Sequence, residues 1–493
     1  MGINVSAIST ERTDALYGCQ IPSSDLNISS LTSITASDAV RAFASGELSP
    51  VELMEAVIAH TDRVEPEVNG FMATFHEQAL EAARTSEDRW QGIGEPPRPL
   101  EGVPVAVSDE LEIKGQPLTE STVQLIDHKV ETTEPLANRI YDSGAAVHAR
   151  TATSEYLYSP YMHSELYGTT ANPWNPEYNA SGCGGGASAA LAAGTTMLAG
   201  GIDSLAVNTS PSACGVVGFK PSYGRIPLVP PFALDTLAHY SPMARTVEDC
   251  ALFFDQLSGL HSCDPASLPD MAAVGQLHPD PSRLKIAWSE DLGGYEVDAD
   301  VRRNTRSAMK SLRDAGASVD EVELQFDPAE IGDATLARLG HALLPILKRQ
   351  FAAEGKLAPH SEALMRRAVE QAGRIALLDA FTLENRIYSE LAQVFTSYDA
   401  FVCPALAIPA FALEPDESDF TRVLTGAAFN MCGRHPYVSV PSGRSSDGVP
   451  TAVLVVGPRY ADGEVLLAAA SVEAVVQYHL AAGPAFGHVL DRL

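Results

Sequence analysis

Hydrophobic and polar residues alternate along this chain with two periods, one typical of amphipathic helices and the other of short buried strands. Residues 49–66 place their apolar side chains on one broad face, which predicts a helix. Ser49, followed three residues later by Glu52, has the form of a capping box and marks where that helix begins. Residues 76–90 predict a second helix, and the apolar run 102–109 predicts a short buried strand.

The same succession of helices and strands continues to the end of the chain. Residues 134–151 predict a helix, a break at Gly144 and a strand, and the small apolar residues 187–198 predict a buried helix. The later elements are predicted as a strand in 284–294, a helix and a strand in 298–324, a buried strand-like run in 400–410, a strand in 450–458 and a helix in 464–479. This succession implies an α/β protein with helices on both faces of a large sheet.

The chain is predicted to fold as one large domain that spans residues 31–493. Residues 1–30 are mixed and polar, and they predict an irregular N-terminal arm. No internal repeat or low-complexity linker divides the sequence. A looser stretch at about residues 255–385 is predicted to form a helical lobe within the domain.

The acidic composition narrows the classes of partner. The 493 residues carry a formal charge of −30, which repels phosphates and argues against a nucleic acid or an anionic membrane as partner. The sequence has no run of 18 or more apolar residues and no basic segment followed by the apolar run of a signal peptide. It therefore predicts a cytoplasmic protein with a small-molecule ligand. The oligomeric state stays open, with a homodimer among the alternatives.

The seven cysteines support the same compartment. Their number is odd, their spacings are wide and no CxxC pair occurs, which is typical of reduced thiols in the cytoplasm. No group of cysteines and histidines has the spacing of a zinc site. We therefore predict no metal and no other cofactor.

The most informative stretch is SGCGGGASAALAAG, residues 181–194, a glycine-rich loop followed by a helix of small residues. Cys183 lies in the loop, where backbone N–H groups and the positive end of a helix can lower the pKa of a thiol. The alternative is that Cys183 is a small packing residue, as most unpaired cysteines are. The loop lacks the lysine and the spacing of a phosphate-binding loop, which argues against a nucleotide site.

Six segments resemble the amidase signature family, occur in the family's order and cover about residues 30–475. They are LTSITASDAVRAFASGELSPVELMEAVIAH, GVPVAVSDELEIKG, YGTTANPWNPEYNASGCGGGASAALAAG, ACGVVGFKPSYGRIP, SPMARTVEDCALFFDQLSG and PSGRSSDGVPTAVLVVGP. The resemblance implies a single α/β domain built on a large, twisted, mixed sheet. It also implies acyl transfer from amides by a serine nucleophile, a second serine in a cis peptide and a neutral lysine, with backbone N–H groups as the oxyanion hole.

Each catalytic position that the resemblance implies holds a different residue in this chain. The family's lysine stands in a motif of the type VAVKD, and here the motif is VAVSD with Ser108 in that place. Cys183 replaces the cis serine, and Val207 replaces the nucleophile, or Ala206 if the alignment shifts by one residue. Leu205 and Ala206 replace the oxyanion-hole glycines. We therefore expect that the family mechanism cannot run and that no basic group is placed to relay a proton.

The remaining candidates are residues that the resemblance places near the substrate cleft. The candidate catalytic residues are Cys183, Ser108 and His163. His163 is either a general acid or base or a loop histidine with ordinary hydrogen bonds, and Ser108 is either a hydrogen-bonding partner of Cys183 or of a ligand, or a polar side chain that fills the space left by lysine. Asp109 and Asp203 match the family and are expected to have structural roles. The predicted substrate-binding residues are Gly182, Gly184, Ser204, Leu205, Ala206, Val207 and His239.

Three functions remain open on this sequence. The first is a repurposed enzyme that uses the family's cleft for non-hydrolytic chemistry on a small carbonyl- or amide-bearing molecule in biosynthesis. The second is a non-catalytic binding or scaffold protein that has kept the fold. The third is an amidase or acyl transferase that uses Cys183. In all three we expect Cys183 to line the pocket, and in the first two it substitutes for serine without acting as a nucleophile.

Overall fold

The computed structural model describes residues 28–157, 159–203, 209–230, 232–350, 357–413, 422 and 424–478. The predicted N-terminal arm lies almost entirely outside these ranges and stays a prediction. Within these ranges, no helix is long and apolar enough to cross a membrane.

Eleven strands of the described chain form one mixed sheet, and two short strands form a separate pair. The order across the sheet is β1-β3-β2-β6-β8-β7-β12-β13-β11-β9-β10, and β4 pairs with β5. The strands are β1 Phe71–Thr74, β2 Pro104–Ser108, β3 Ala146–Thr151, β4 His163–Ser164, β5 Gly168–Thr169, β6 Leu198–Asp203, β7 Val217–Lys220, β8 His239–Ala244, β9 Lys285–Trp288, β10 Ser318–Glu321, β11 Ala400–Pro404, β12 Tyr437–Arg444 and β13 Pro450–Val456.

Helices cover both faces of the sheet, as the sequence pattern predicts. They are α1 Ile28–Ser33, α2 Ala36–Ser45, α3 Pro50–Val68, α4 His76–Trp90, α5 Pro135–Asp142, α6 Gly185–Ala193, α7 Thr209–Cys214, α8 Val247–Leu257, α9 Ala299–Asp314, α10 Pro328–Gln350, α11 Pro359–Arg374, α12 Leu377–Val394, α13 Ala427–Met431 and α14 Asp462–Val476. Alternate residues of β13 enter different cores, because Val453 and Val455 pack on one face and Leu454 and Val456 on the other. The predicted fold class is therefore confirmed.

The helices with strong local start signals begin where the sequence predicts. Helix α3 starts at Pro50, and both reciprocal hydrogen bonds of the capping box between Ser49 and Glu52 are present. The helix predicted over 187–198 is wrong at its end, because α6 stops at Ala193. Gly194 takes a left-handed conformation with φ 73° and caps that helix, and Leu198 begins β6 instead.

The strand directions bring several predicted site residues to one edge of the sheet. Strands β2 and β6 are parallel, so their carboxyl ends, at Ser108 and Asp203, lie at the same edge. Strand β8 runs antiparallel to β6 and begins at that edge, where His239 is opposite Asp203. The glycine-rich loop with Cys183 leads into α6, which packs against β2 and β6.

Candidate functional site

The carboxyl end of β2 carries Ser108, and the chain turns there so that the side chain of Glu110 folds back over it. Ser108 is the last residue of the strand, and its hydroxyl donates a hydrogen bond to Oε2 of Glu110. The other oxygen, Oε1, accepts a hydrogen bond of 2.7 Å from the backbone N–H of Ile202 in β6. Glu110 therefore bridges the ends of two neighbouring parallel strands at the place where the family resemblance implies a lysine.

The carboxyl group of Glu110 is held in a form that suits proton transfer. Burial raises its pKa to about 7, and the hydrogen bonds from Ser108 and Ile202 oppose that rise. The neighbouring charge of Asp109 raises the pKa further. Near neutral pH the group therefore exists in both its protonated and its ionised form, which is the condition for a general acid or base.

Glu110 belongs to a larger group of buried acids, which we call the carboxyl cluster: Asp109, Glu110, Glu120 and Glu134. Burial and the charges of Asp109 and Glu110 raise the pKa of Glu120 to about 7. Burial and the charges of nearby glutamates raise the pKa of Glu134 to about 8, and Arg150 opposes this rise. One buried guanidinium thus faces several carboxyl groups, and partial protonation of Glu110, Glu120 and Glu134 near neutral pH reduces the like-charge repulsion among them.

Two members of this region have structural partners. The carboxylate of Asp109 accepts hydrogen bonds from the backbone N–H of Thr119, the hydroxyl of Thr119 and the backbone N–H of Ser121, at 2.9, 2.6 and 3.0 Å. Arg150 donates to the carbonyl of Leu111 at 2.6 Å. Both side chains therefore fix the loop that follows β2. This arrangement agrees with the structural role expected for Asp109.

Cys183 lies beside the backbone of β6. Its peptide bond with Gly182 is cis, at the position where the family resemblance implies a cis serine. The side chain is 3% exposed, and its sulfur donates a long hydrogen bond of 3.7 Å to the carbonyl of Ile202. Because Glu110 accepts from the N–H of the same residue, Cys183 and Glu110 contact one backbone unit. Ile202 is therefore the link between the two side chains.

The glycines beside Cys183 are packed against the protein. The N–H of Gly182 donates to the carbonyl of Pro160 at 2.7 Å, so this amide is already engaged. A side chain added at Gly184 would come within 3.1 Å of the terminal methyl of Met243. The substrate contacts predicted for Gly182 and Gly184 stay predictions.

The two candidate histidines have their hydrogen bonds away from Ser108 and Glu110. Nδ1 of His163 lies 2.7 Å from the hydroxyl of Thr169, and its ring contacts that of His360 at 5.4 Å. The ring of His239 lies between the carbonyls of Leu237 and Gly433, at 2.9 and 3.3 Å. Burial lowers the pKa of His239 well below its usual value, so it stays neutral. Neither ring is hydrogen-bonded to the Ser108–Glu110 pair.

The predicted nucleophile loop falls outside the described residues. Ser204, Leu205, Ala206 and Val207 lie in the gap between 203 and 209, so their predicted roles stay predictions. Asp203 ends β6, and its backbone pairs with His239. Across the described ranges, no three His, Cys, Asp or Glu side chains are grouped closely enough to hold a metal ion.

Glu110 is the residue that sequence reasoning missed, and it corrects one expectation. The sequence predicts that no basic group is placed to relay a proton, but the structure puts a titratable carboxyl beside Ser108. The alternation of side chains along a strand gives no signal for this contact, because Ser108 ends β2 and Glu110 lies in the turn that follows it.

Comparisons with known proteins agree with this fold. Residues 52–466 match the Amidase family model. An acylamidase of Rhodococcus erythropolis is 31% identical over 90% of this chain and 95% of its own length. A glutamyl-tRNA(Gln) amidotransferase subunit from Lachnospira eligens is 27% identical over 90% of this chain and 98% of its own length.

Solved structures of other proteins share this fold. A bacterial aryl acylamidase of the amidase signature enzymes superposes with a TM-score of 0.81 at 23% identity, covering 91% of this chain and 97% of that one. The family match spans most of the chain, the sheet has the family's architecture, and the cis peptide lies in the expected loop. The chain therefore belongs to the amidase signature family.

Proposed function

We propose that this protein acts on a small carbonyl- or amide-bearing molecule by acid–base chemistry at Glu110, without a serine acyl-enzyme. The observation that carries the proposal is the buried carboxyl of Glu110, hydrogen-bonded to Ser108 at the strand end where the family has lysine. Its pKa of about 7 allows it to give and to take a proton at neutral pH. The acylamidase named among the relatives supports an amide or carbonyl group in the substrate.

The expected reaction is a proton transfer next to a carbonyl group, as in an isomerisation, elimination or cyclisation. The ionised carboxyl of Glu110 takes a proton from the carbon beside the carbonyl, and the protonated form returns one. Ser108 hydrogen-bonds to Glu110 and positions its carboxyl group. No nucleophilic serine takes part in this scheme, which agrees with the substitutions inferred at the family's catalytic positions.

The test compares the purified protein with its Glu110→Gln variant, which keeps the size of the side chain and an acceptor for Ile202. Both are incubated with panels of ketones, ketoacids, primary amides and anilides in D2O, and NMR follows deuterium uptake and product formation. We expect turnover or exchange of a carbonyl compound with a pH profile that has an ionisation near 7, and loss of both in Glu110→Gln. We expect no hydrolysis of simple amides or anilides.

Two other outcomes would contradict the proposal. Hydrolysis of an amide that Glu110→Gln retains and Cys183→Ala abolishes would mean that the protein is a cysteine amidase. Binding of a panel compound without any conversion would favour a binding protein, the second candidate function. That candidate is supported by the complete burial of Ser108 and the near-complete burial of Cys183.

A further inference from the structure

A cavity of about 570 Å³ lies at the same sheet edge, beside the start of β12 and the end of β13. Its walls come from α10, α12, the segment before β8, the loop that leads into β12 and the loop that follows β13. Strand β12 is four places from β2 in the sheet, which separates it from Ser108 by roughly 20 Å. The cavity is therefore distinct from the carboxyl cluster, and its volume falls in the range of small-molecule sites.

Three arginines line this cavity, which is unexpected in a chain with 33 basic and 63 acidic residues. Arg338 is neutralised, because its guanidinium pairs with Glu384 at 2.6 Å and also donates to Thr236 at 2.8 Å. The other two, Arg434 and Arg459, are exposed at the opening. We call this space the arginine cavity.

The two remaining guanidinium groups are held in place by neutral groups. Nε of Arg434 donates to the hydroxyl of Tyr460 at 3.1 Å. The guanidinium of Arg459 lies over the ring of Tyr388, 5.5 Å from its centre. Neither arginine has a carboxylate within ion-pair distance in the described part of the chain. Both therefore keep a full positive charge at a fixed place beside the cavity.

The other lining residues favour an apolar body next to the anionic group. Leu234 is 71% exposed and Phe381 is 44% exposed, and both line the cavity. His435 also lines it, and burial lowers the pKa of its imidazole to about 4, so it carries no charge at neutral pH. The cavity thus combines two unneutralised cations with exposed apolar surface.

We propose that the arginine cavity binds a small organic monoanion, a carboxylate that carries an aromatic or aliphatic group. Arg434 and Arg459 bind the carboxylate, and Phe381 and Leu234 cover the apolar group. The carboxylate of Glu384 on the same wall is already balanced by Arg338, and inorganic phosphate lacks the apolar group that Phe381 and Leu234 cover, which disfavours it. The site does not depend on chemistry at Glu110.

The test measures binding of benzoate and hexanoate to the full-length protein by calorimetry and thermal shift. Benzyl alcohol and inorganic phosphate serve as the uncharged and dianionic probes. We expect saturable binding of the two carboxylates, weaker binding of phosphate and none of benzyl alcohol. The double variant Arg434→Gln, Arg459→Gln should weaken benzoate binding about 10-fold to 100-fold.

Three variants complete the design. Arg374→Gln, at an exposed arginine of α11 outside the cavity, should leave benzoate affinity unchanged and controls for net charge. Glu384→Gln frees the guanidinium of Arg338 to interact with the ligand and should strengthen benzoate binding severalfold. Glu110→Gln should leave it unchanged, which separates this site from the proposed reaction. Equal affinity in the double variant, or stronger binding of phosphate than of benzoate, would overturn the proposal.

Discussion

The carboxyl cluster and the arginine cavity lie at one edge of the same sheet, but they handle charge in opposite ways. In the cluster, burial near Arg150 raises the pKa of Glu110 and Glu120 to about 7 and that of Glu134 to about 8. In the cavity, Arg434 and Arg459 are open to solvent and are held by a tyrosine hydroxyl and a tyrosine ring. Burial thus removes charge from one region, and exposure preserves it in the other.

This difference separates the kinds of function that each region can carry. A carboxyl that changes its protonation near neutral pH can move protons, which is the basis of the proposed reaction. Guanidinium groups that stay charged can attract an anion but cannot exchange protons. A strongly acidic protein therefore has one site suited to chemistry and another suited to recognition.

The largest expected change in the free energy of unfolding comes from a variant near the carboxyl cluster. It tests whether this region is packed more tightly than the helices around the cavity. Gly186 is in the first turn of α6, and a methyl group there would come within 2.4 Å of the carbonyl oxygen of Ala152 and 2.5 Å of that of Gly70. We expect Gly186→Ala to lower the free energy of unfolding by about 3 kcal/mol or more, because both contacts are backbone. Urea denaturation followed by circular dichroism measures it.

A matched control comes from Gly373 in α11, where an added methyl group meets no atom within 4 Å. We expect Gly373→Ala to stabilise the protein by about 0.5 kcal/mol, through helix propensity alone. If Gly186→Ala were as neutral as Gly373→Ala, the close packing of α6 against its neighbours would be refuted.

The second prediction concerns the pH dependence of the free energy of unfolding, which the burial of Glu110 causes. Its pKa is about 7 in the folded protein against 4.5 for an ordinary glutamate, so the folded state binds the proton more tightly. The stability from that proton is fully present below pH 4.5 and is lost as the pH rises through about 7. The Glu110→Gln variant does not lose this stability, because glutamine does not titrate. Between about pH 4.5 and 8, the wild type should lose about 3 kcal/mol relative to the variant.

The measurement is urea denaturation of both proteins across that pH range. Glu120 and Glu134 change stability in the same direction and are present in both proteins, but the charge of Glu110 raises their pKa values, so Glu110→Gln also removes part of their pH dependence. Glu95→Gln, at an exposed glutamate, is the control for a general loss of charge. Parallel curves for the wild type and Glu110→Gln would mean that Glu110 is ionised in the folded protein, and the contrast between the two regions would fail.

The parts of the fold that the sequence predicts are those with local causes. The capping box of Ser49 and Glu52 determines where α3 begins, because its hydrogen bonds lie within four residues. The end of α6 is mispredicted because the residues after Gly194 are apolar enough for either a helix or a strand. Leu198 pairs with Val105 and Ala244, which are far away in the chain, and this pairing makes the segment a strand. Such pairing has no local signature.

The same distinction holds for the two sites. The resemblance to the amidase signature family locates Cys183 and Ser108, because both stand inside recognisable motifs. Glu110 is missed because its role depends on burial and on the N–H of Ile202, which only folding brings near. The arginine cavity could not be predicted at all, since Arg338, Arg434 and Arg459 come from three separate segments.

The smallest expected effect concerns Cys183, which contacts the same backbone unit as Glu110. Its sulfur donates a long hydrogen bond of 3.7 Å to the carbonyl of Ile202 and is shielded from solvent. We expect Cys183→Ser to change the free energy of unfolding by about 1 kcal/mol or less, since a hydroxyl of similar size can donate to the same carbonyl. Cys183→Ala should cost slightly more, because it leaves that carbonyl without its donor.

Labelling with iodoacetamide, followed peptide by peptide by mass spectrometry, tests whether this thiol is a nucleophile. Cys263 is partly exposed, so in the native protein it should be labelled before Cys183, which a reagent reaches only when α6 and its loop open. An activity kept in Cys183→Ser and lost in Cys183→Ala would identify a hydrogen-bonding role. Rapid labelling of Cys183 near pH 7, together with loss of activity in Cys183→Ser, would instead make the thiol the catalyst. The centre of chemistry would then move from the carboxyl of Glu110 to the sulfur of Cys183, on the same backbone unit of Ile202.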